Sequence, residues 1–126
     1  MPKKILDAPS GPNPVGPYSV VTEANGFVFI SGQGAIDPAT NSLVEGGVEA
    51  EAEQVMKNIS GILSDVGLTF ADVVKTTIFL TDMGDFPKVN AIYGRYVGDA
   101  KPARSTVEVA GLPLGIQVEI ELIAAR

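Results

Sequence analysis

From Ile116 to Ala124 the chain alternates: Ile116, Val118, Ile120, Leu122 and Ala124 fall on one side, Gln117, Glu119 and Glu121 on the other. Successive side chains of a β-strand point to opposite faces, so this run reads as a strand with one face in an apolar core and one polar face. A sheet built around such a strand needs an amphipathic element to cover its apolar side. Val48, Ala52, Val55, Met56, Ile59, Ile62, Leu63 and Val66 recur at helical spacing and predict that cover as a helix over Val48 to Val66. Glu49, Glu51 and Glu53 sit in its first turns, where the helix dipole favours negative charge, as a solvated helix start and not a metal cluster. Gly67 is placed to end it.

The remaining elements follow from local chemistry. Residues 7–17 are rich in Pro and Gly and read as an irregular arm. Tyr18 to Glu23 and Phe27 to Ser31 read as strands around an Asn25-Gly26 hairpin turn. Gly32 to Gly47 reads as a long loop, with Asp37-Pro38 and Asn41-Ser42 as turns. Val73 to Thr81 is a β-branched strand. Asp85 is expected to cap a second helix, with Pro87 in its first turn, running to about Val97 with Phe86, Val89, Tyr93, Tyr96 and Val97 turned inward. Arg104 to Val109 and Ile116 to Ala124 are the last strands, in the order β-β-α-β-α-β-β, with a further short strand at Lys3 to Leu6. The fold class is α+β: a mixed β-sheet with two helices packed on one face, as one domain over residues 1–126. The other face is solvated or covered by a partner.

Composition removes several kinds of chemistry. The sequence has no Cys, so thiolate nucleophiles, disulfides and thiolate metal sites are excluded. It has no His, so serine-histidine catalysis and histidine metal sites go too, and proton transfer falls to Asp, Glu, Lys, Tyr or water. A formal net charge of -6 disfavours generic binding to nucleic acid. The N-terminus has two lysines without an apolar run behind them and does not read as a secretory signal, and no stretch reads as a membrane span; a cytoplasmic location is the default expectation. Ser31-Gly32-Gln33-Gly34 holds a GxG fragment, but no helix is expected after it, so a phosphate loop is rejected.

The chemistry-bearing stretch is Pro102 to Val109 followed by Gln117 to Glu121. Alternation puts Arg104, Thr106 and Glu108 on one face. If the two strands pair as an antiparallel hairpin through Gly111 to Gly115, Glu119 shares that face with Arg104. The two residues then form either a structural ion pair, worth ~0.2–1 kcal/mol, or a site in which Arg104 grips a carboxylate through its planar fork and Glu119 orients a water. Tyr18 is equally a core or interface aromatic, Ser31 ordinary turn chemistry and Asn90 a solvated helix residue.

The run PARSTVEVAGLPLGIQVEIE, with Gly16-Pro17-Tyr18, Ser31-Gly32-Gln33, Val74-Lys75-Thr76-Thr77 and Val89-Asn90-Ala91-Ile92-Tyr93, resembles the signature of the RidA (YjgF-type) reactive intermediate deaminases, in order, from about Lys4 to the end. The resemblance implies a chorismate-mutase-like fold assembled as a homotrimer, with sites in the clefts between subunits and no cofactor or metal. It implies hydrolysis of 2-enamine and 2-imine acids, such as 2-aminoacrylate and 2-aminocrotonate, to 2-keto acids and ammonia, which protects pyridoxal-phosphate enzymes from damage. In that family pattern Arg104 binds the substrate carboxylate, Glu119 positions the attacking water, and Tyr18, Ser31, Gly32 and Asn90 line the pocket. Thr106 stands where the pattern has cysteine, which bears on substrate preference. Two other functions stay open: an endoribonuclease or translation inhibitor, and a non-catalytic keto-acid-binding module.

Overall fold

A computed structural model describes residues 2–126. Its main sheet has six strands in the order β1-β2-β3-β8-β6-β7. These are β1 (Lys4–Leu6), β2 (Val21–Ala24), β3 (Phe27–Gln33), β6 (Val73–Leu80), β7 (Ala103–Glu108) and β8 (Val118–Ala125). A two-stranded ribbon, β4 (Ile36–Asp37) and β5 (Ser42–Leu43), lies within the stretch expected to be loop. Asp37 closes that ribbon: its carboxylate accepts from Ala39 N at 2.9 Å and its carbonyl from Asn41 N at 2.8 Å. Asn41 takes the left-handed conformation such a turn needs.

Helices α1 (Gly47–Asp65) and α2 (Phe86–Val97) both pack on one face of the sheet. Val55, Ile59 and Ile62 of α1 and Val89 of α2 meet Val21, Val28, Ile78, Val118 and Ile120 in the core. The mixed α+β sheet with two helices on one face is thus as the alternation predicts. Gly67, at φ 80°, ends α1 where expected.

Some expectations are corrected. Asp85 makes no side-chain cap; it closes a short 3-10 turn whose own cap is Asp82, accepting from Gly84 N at 2.8 Å. Glu51 and Glu53 are not simply solvated. Glu51 is buried at 3% exposure and accepts the backbone N–H of Gln117 at 2.8 Å. Glu53 accepts from Tyr96 Oη and Arg95 Nη2, each at 2.8 Å, and these bonds, with Tyr96 first, hold its pKa below the usual carboxylate value.

The largest correction concerns the last two strands. β7 does not form a hairpin with β8. It pairs in parallel with β6, while β8 lies antiparallel along the other edge of β6. The cause is connectivity: α2 carries the chain back over the sheet from β6, and a crossover of that kind returns a parallel strand. Opposite residues in adjacent strands share a face. Arg104 and Thr106 therefore lie on the helix side with Thr76 and Ile78, and Glu119 lies on the open side with Phe79. Within one chain the two residues are on opposite faces, two strands apart, so neither the cross-strand ion pair nor a site shared across a β7–β8 hairpin forms within the chain.

Candidate active site

The open face near β8 carries a cavity of about 750 Å³. Its polar floor is Tyr18, Ser31, Gly32 and Glu119. The floor is shaped by a β-bulge: Ile30 pairs with Leu122 and Gln33 with Ile120, so Ser31 and Gly32 together face the single residue Glu121. Gln33, itself buried, ties the bulge by donating to Ser31 O at 3.1 Å. Ser31 Oγ donates to Ser19 O at 2.6 Å, so its proton is committed and its lone pairs remain to accept. Tyr18 is half exposed, and its hydroxyl meets Val15 N at 3.4 Å.

Glu119 rests directly over Gly32. A Cβ on Gly32 would sit 2.5 Å from Glu119 Oε2 and 2.7 Å from its carboxyl carbon, so glycine is required for the approach. Gly32→Ala is expected to fold, because the displaced atoms end a flexible side chain, but to push the carboxylate aside. If this carboxylate takes part in a reaction, a displacement of about 1 Å costs about 10²-fold in rate. Turnover measured beside a thermal melt checks this: lost stability with unchanged turnover would contradict it.

Burial raises the pKa of Glu119 above the usual glutamate value, and the Glu121 charge adds to the rise. Folding thus favours the protonated form. The stability Glu119 contributes is present below its unfolded pKa and is lost as pH rises through the raised folded pKa. Glu121→Gln removes the like charge, so Glu119 should ionise at lower pH. The acid limb of any rate that needs Glu119 as a base should then move to lower pH in a pH–rate profile; a limb that stays put or moves up would contradict this.

Arg104 and Asn90 are elsewhere. Arg104 Nη1 donates to Asn90 Oδ1 at 2.7 Å, and the guanidinium carbon lies 5.0 Å from the Tyr93 ring centre and 5.4 Å from that of Phe86. Two aromatic faces and one amide oxygen therefore support a cation that forms no ion pair among the described residues. Tyr93 is itself held through its hydroxyl, 2.8 Å from Thr76 Oγ1. Beside Arg104 on the edge strand, Thr106 Oγ1 is buried without a hydrogen-bond partner. The structure thus brings Tyr18, Ser31, Gly32 and Glu119 together and, separately, Arg104, Asn90 and Thr106. Sequence reasoning missed the roles of Phe86, Tyr93 and Gln33 in supporting these groups; Phe86 and Tyr93 were expected only to turn inward.

Among the described residues no group of three His, Cys, Asp or Glu is arranged to hold a metal ion, and no helix is long and apolar enough to cross a membrane.

This architecture is shared with known proteins. A conserved Rid-family protein of Yersinia pestis superposes with a TM-score of 0.95 at 44% identity, over 99% of this chain and 100% of that one. TdcF of E. coli with bound serine superposes with a TM-score of 0.91 at 34% identity, over 98% of both chains. The mouse 2-iminobutanoate/2-iminopropanoate deaminase is 44% identical over 124 residues, 98% of this chain and 92% of the mouse protein. Residues 8–126 match the family described as Endoribonuclease L-PSP, and the chain belongs to this family, the YjgF/RidA proteins.

Proposed function

We propose that this chain is a cytoplasmic hydrolase acting on C=N bonds, converting 2-imino and 2-enamine acids such as 2-aminoacrylate to 2-keto acids and ammonia. We place its site between subunits of a homotrimer. The observation that carries this reading is the split of the candidate residues. A carboxylate with a raised pKa lies in a cavity that no described Lys or Arg lines, and an arginine without a carboxylate partner among the described residues stands on an edge strand of the same chain. The two half-sites complete one another if the open face of one subunit meets the β7 edge of the next. Closed cyclic assemblies repeat such a contact at every interface. The exposed apolar Phe27, Phe29 and Val107 give that assembly surface to bury.

Each group then has one task. Arg104 of one subunit grips the carboxylate of the substrate and fixes the distance from the imine carbon to the water. Ser31, its proton given to Ser19 O, accepts from the imine N–H. Glu119 takes a proton from water as oxygen adds to the imine carbon. Glu119 returns that proton to nitrogen, giving the carbinolamine. The carbinolamine hydroxyl then passes its proton to nitrogen through Glu119, the C=O bond of the keto acid forms as the C–N bond breaks, and ammonia leaves. An enamine first gains a proton at carbon and gives one up from nitrogen to reach the imine. No cofactor and no metal enters this scheme.

Thr106 tunes substrate choice and is not a nucleophile: the chain has no histidine to activate its hydroxyl, and that hydroxyl has no hydrogen-bond partner among the described residues. Thr106→Val removes a buried hydroxyl that lacks a partner, so the melting temperature should hold or rise while turnover persists and the preference between serine-derived and threonine-derived imines shifts. Complete loss of turnover in the folded variant would overturn this role.

The test of the whole reading is release of pyruvate from 2-aminoacrylate, generated by a serine dehydratase, faster than the spontaneous rate. The family description favours a second reading, RNA cleavage. The net charge of -6 and the absence of histidine speak against it. Cleaved RNA with no gain in pyruvate would select it instead.

A further inference from the structure

The cavity over Glu119 is lined by more than its polar floor. The N-terminal arm contributes Pro14 and Val15, and the β7–β8 loop contributes Pro113 and Leu114. Leu114 has an unusual backbone. It sits at φ 61°, ψ 15°, the left-handed region that a side chain with a Cβ disfavours, in a turn closed from Ile116 N to Pro113 O at 3.3 Å. Its side chain is 65% exposed, so burial within the chain does not offset that strain. Glycine or asparagine would suit the turn better. The turn is held from outside: buried Glu51 accepts from Gln117 N at 2.8 Å, and Gln117 O accepts from Thr81 N at 3.2 Å. Val15, 81% exposed, lines the same cavity. Strain kept on a cavity-lining residue whose side chain the single chain leaves exposed is an outlier that asks for a role outside the chain's own core.

We infer that Leu114, which lines this cavity with Val15, is a specificity-determining residue that selects 2-imino acids with branched apolar side chains, such as the imine of leucine, over those with a methyl or an anionic side chain. The inference rests on the deaminase reading above and names the substrate class of that same site. With the carboxylate and C=N group held at the Glu119 end, a longer side chain extends along the apolar walls towards Leu114. An aspartate-derived side chain finds no Lys or Arg among the residues of this chain that line the cavity, and the same lining already carries the carboxylates of Glu119 and Glu121.

The test uses Leu114→Asn and Leu114→Gly, both of which relieve the backbone, so that loss of folding does not confound the result. Imines are generated in the assay from L-leucine, L-alanine and L-aspartate by amino-acid oxidases, and hydrolysis is followed with melting temperature and oligomer mass. Wild type should prefer the leucine-derived imine and act least on the aspartate-derived one. Both variants should melt no lower than wild type and lose about tenfold or more on the leucine-derived imine, the scale of a lost apolar contact in a pocket, while staying within about twofold on the alanine-derived one. Equal losses on both imines, unchanged preference, or a changed oligomer mass would overturn the inference. Calorimetry with 4-methyl-2-oxopentanoate and pyruvate separates the two levels. Tight binding of the larger keto acid that weakens in both variants, with no imine hydrolysis by wild type, would sink the deaminase reading and leave the role of Leu114 in side-chain selection standing.

Discussion

Glu119→Gln should slow imine hydrolysis by roughly 10²–10⁴-fold, the usual cost of losing an acid–base group. The amide keeps the shape over Gly32 but cannot take the proton of the attacking water. Binding of a keto-acid product should be nearly unchanged, because the carboxylate grip lies with Arg104. The acid limb of the pH–rate profile, which the raised pKa of Glu119 places above the ordinary glutamate range, should vanish with it. Turnover like wild type, measured on a folded variant, would remove Glu119 from the proton path.

Arg104→Ala should fail differently. A bidentate fork makes two charge-assisted hydrogen bonds, each worth about 1.5–3 kcal/mol, so keto-acid affinity should fall by roughly 10²-fold or more. Arg104→Lys keeps the charge but not the planar fork, nor the fit against the faces of Tyr93 and Phe86, and should fall between. Calorimetry with pyruvate reads both. Normal affinity in Arg104→Ala would misplace the pocket.

The parts of the fold set by period were legible in the sequence. The alternation of Ile116 to Ala124 and the helical stripe of Val48 to Val66 each bury one face, and β8 and α1 lie within about two residues of the expected bounds. What period could not supply was strand order. Strands adjacent in sequence are usually neighbours in space, and that tendency made a β7–β8 hairpin the pairing to consider. The α2 crossover overrode it. A local sign of the true arrangement was present in Ala103 to Glu108, polar at most positions, as suits an edge strand and not one paired on both sides.

The candidate site was legible through the family pattern and not through strand geometry. The motifs named Tyr18, Ser31, Gly32 and Glu119, which do share a cavity, and Arg104 and Asn90, which meet each other but not that cavity. The bulge at Ser31–Gly32 left no trace beyond the glycine. Glu51 and Asn58 did leave one: each falls in phase with the apolar stripe of α1, where a polar side chain needs a partner. Glu51 finds Gln117 N, and Asn58 finds Ile36 O at 2.8 Å.

The central claim is that one active site takes Glu119 from one subunit and Arg104 from another. Mixing Arg104→Ala and Glu119→Gln chains tests it most directly. The two proteins, each nearly inactive alone, are unfolded, combined in equal amounts, refolded and assayed for hydrolysis of 2-aminoacrylate, with light scattering to confirm trimers. Random assembly of a cyclic trimer puts an intact Glu119 against an intact Arg104 at about one interface in four, so the mixture should recover about a quarter of wild-type activity. A mixture no more active than the average of its two parents would contradict the shared site.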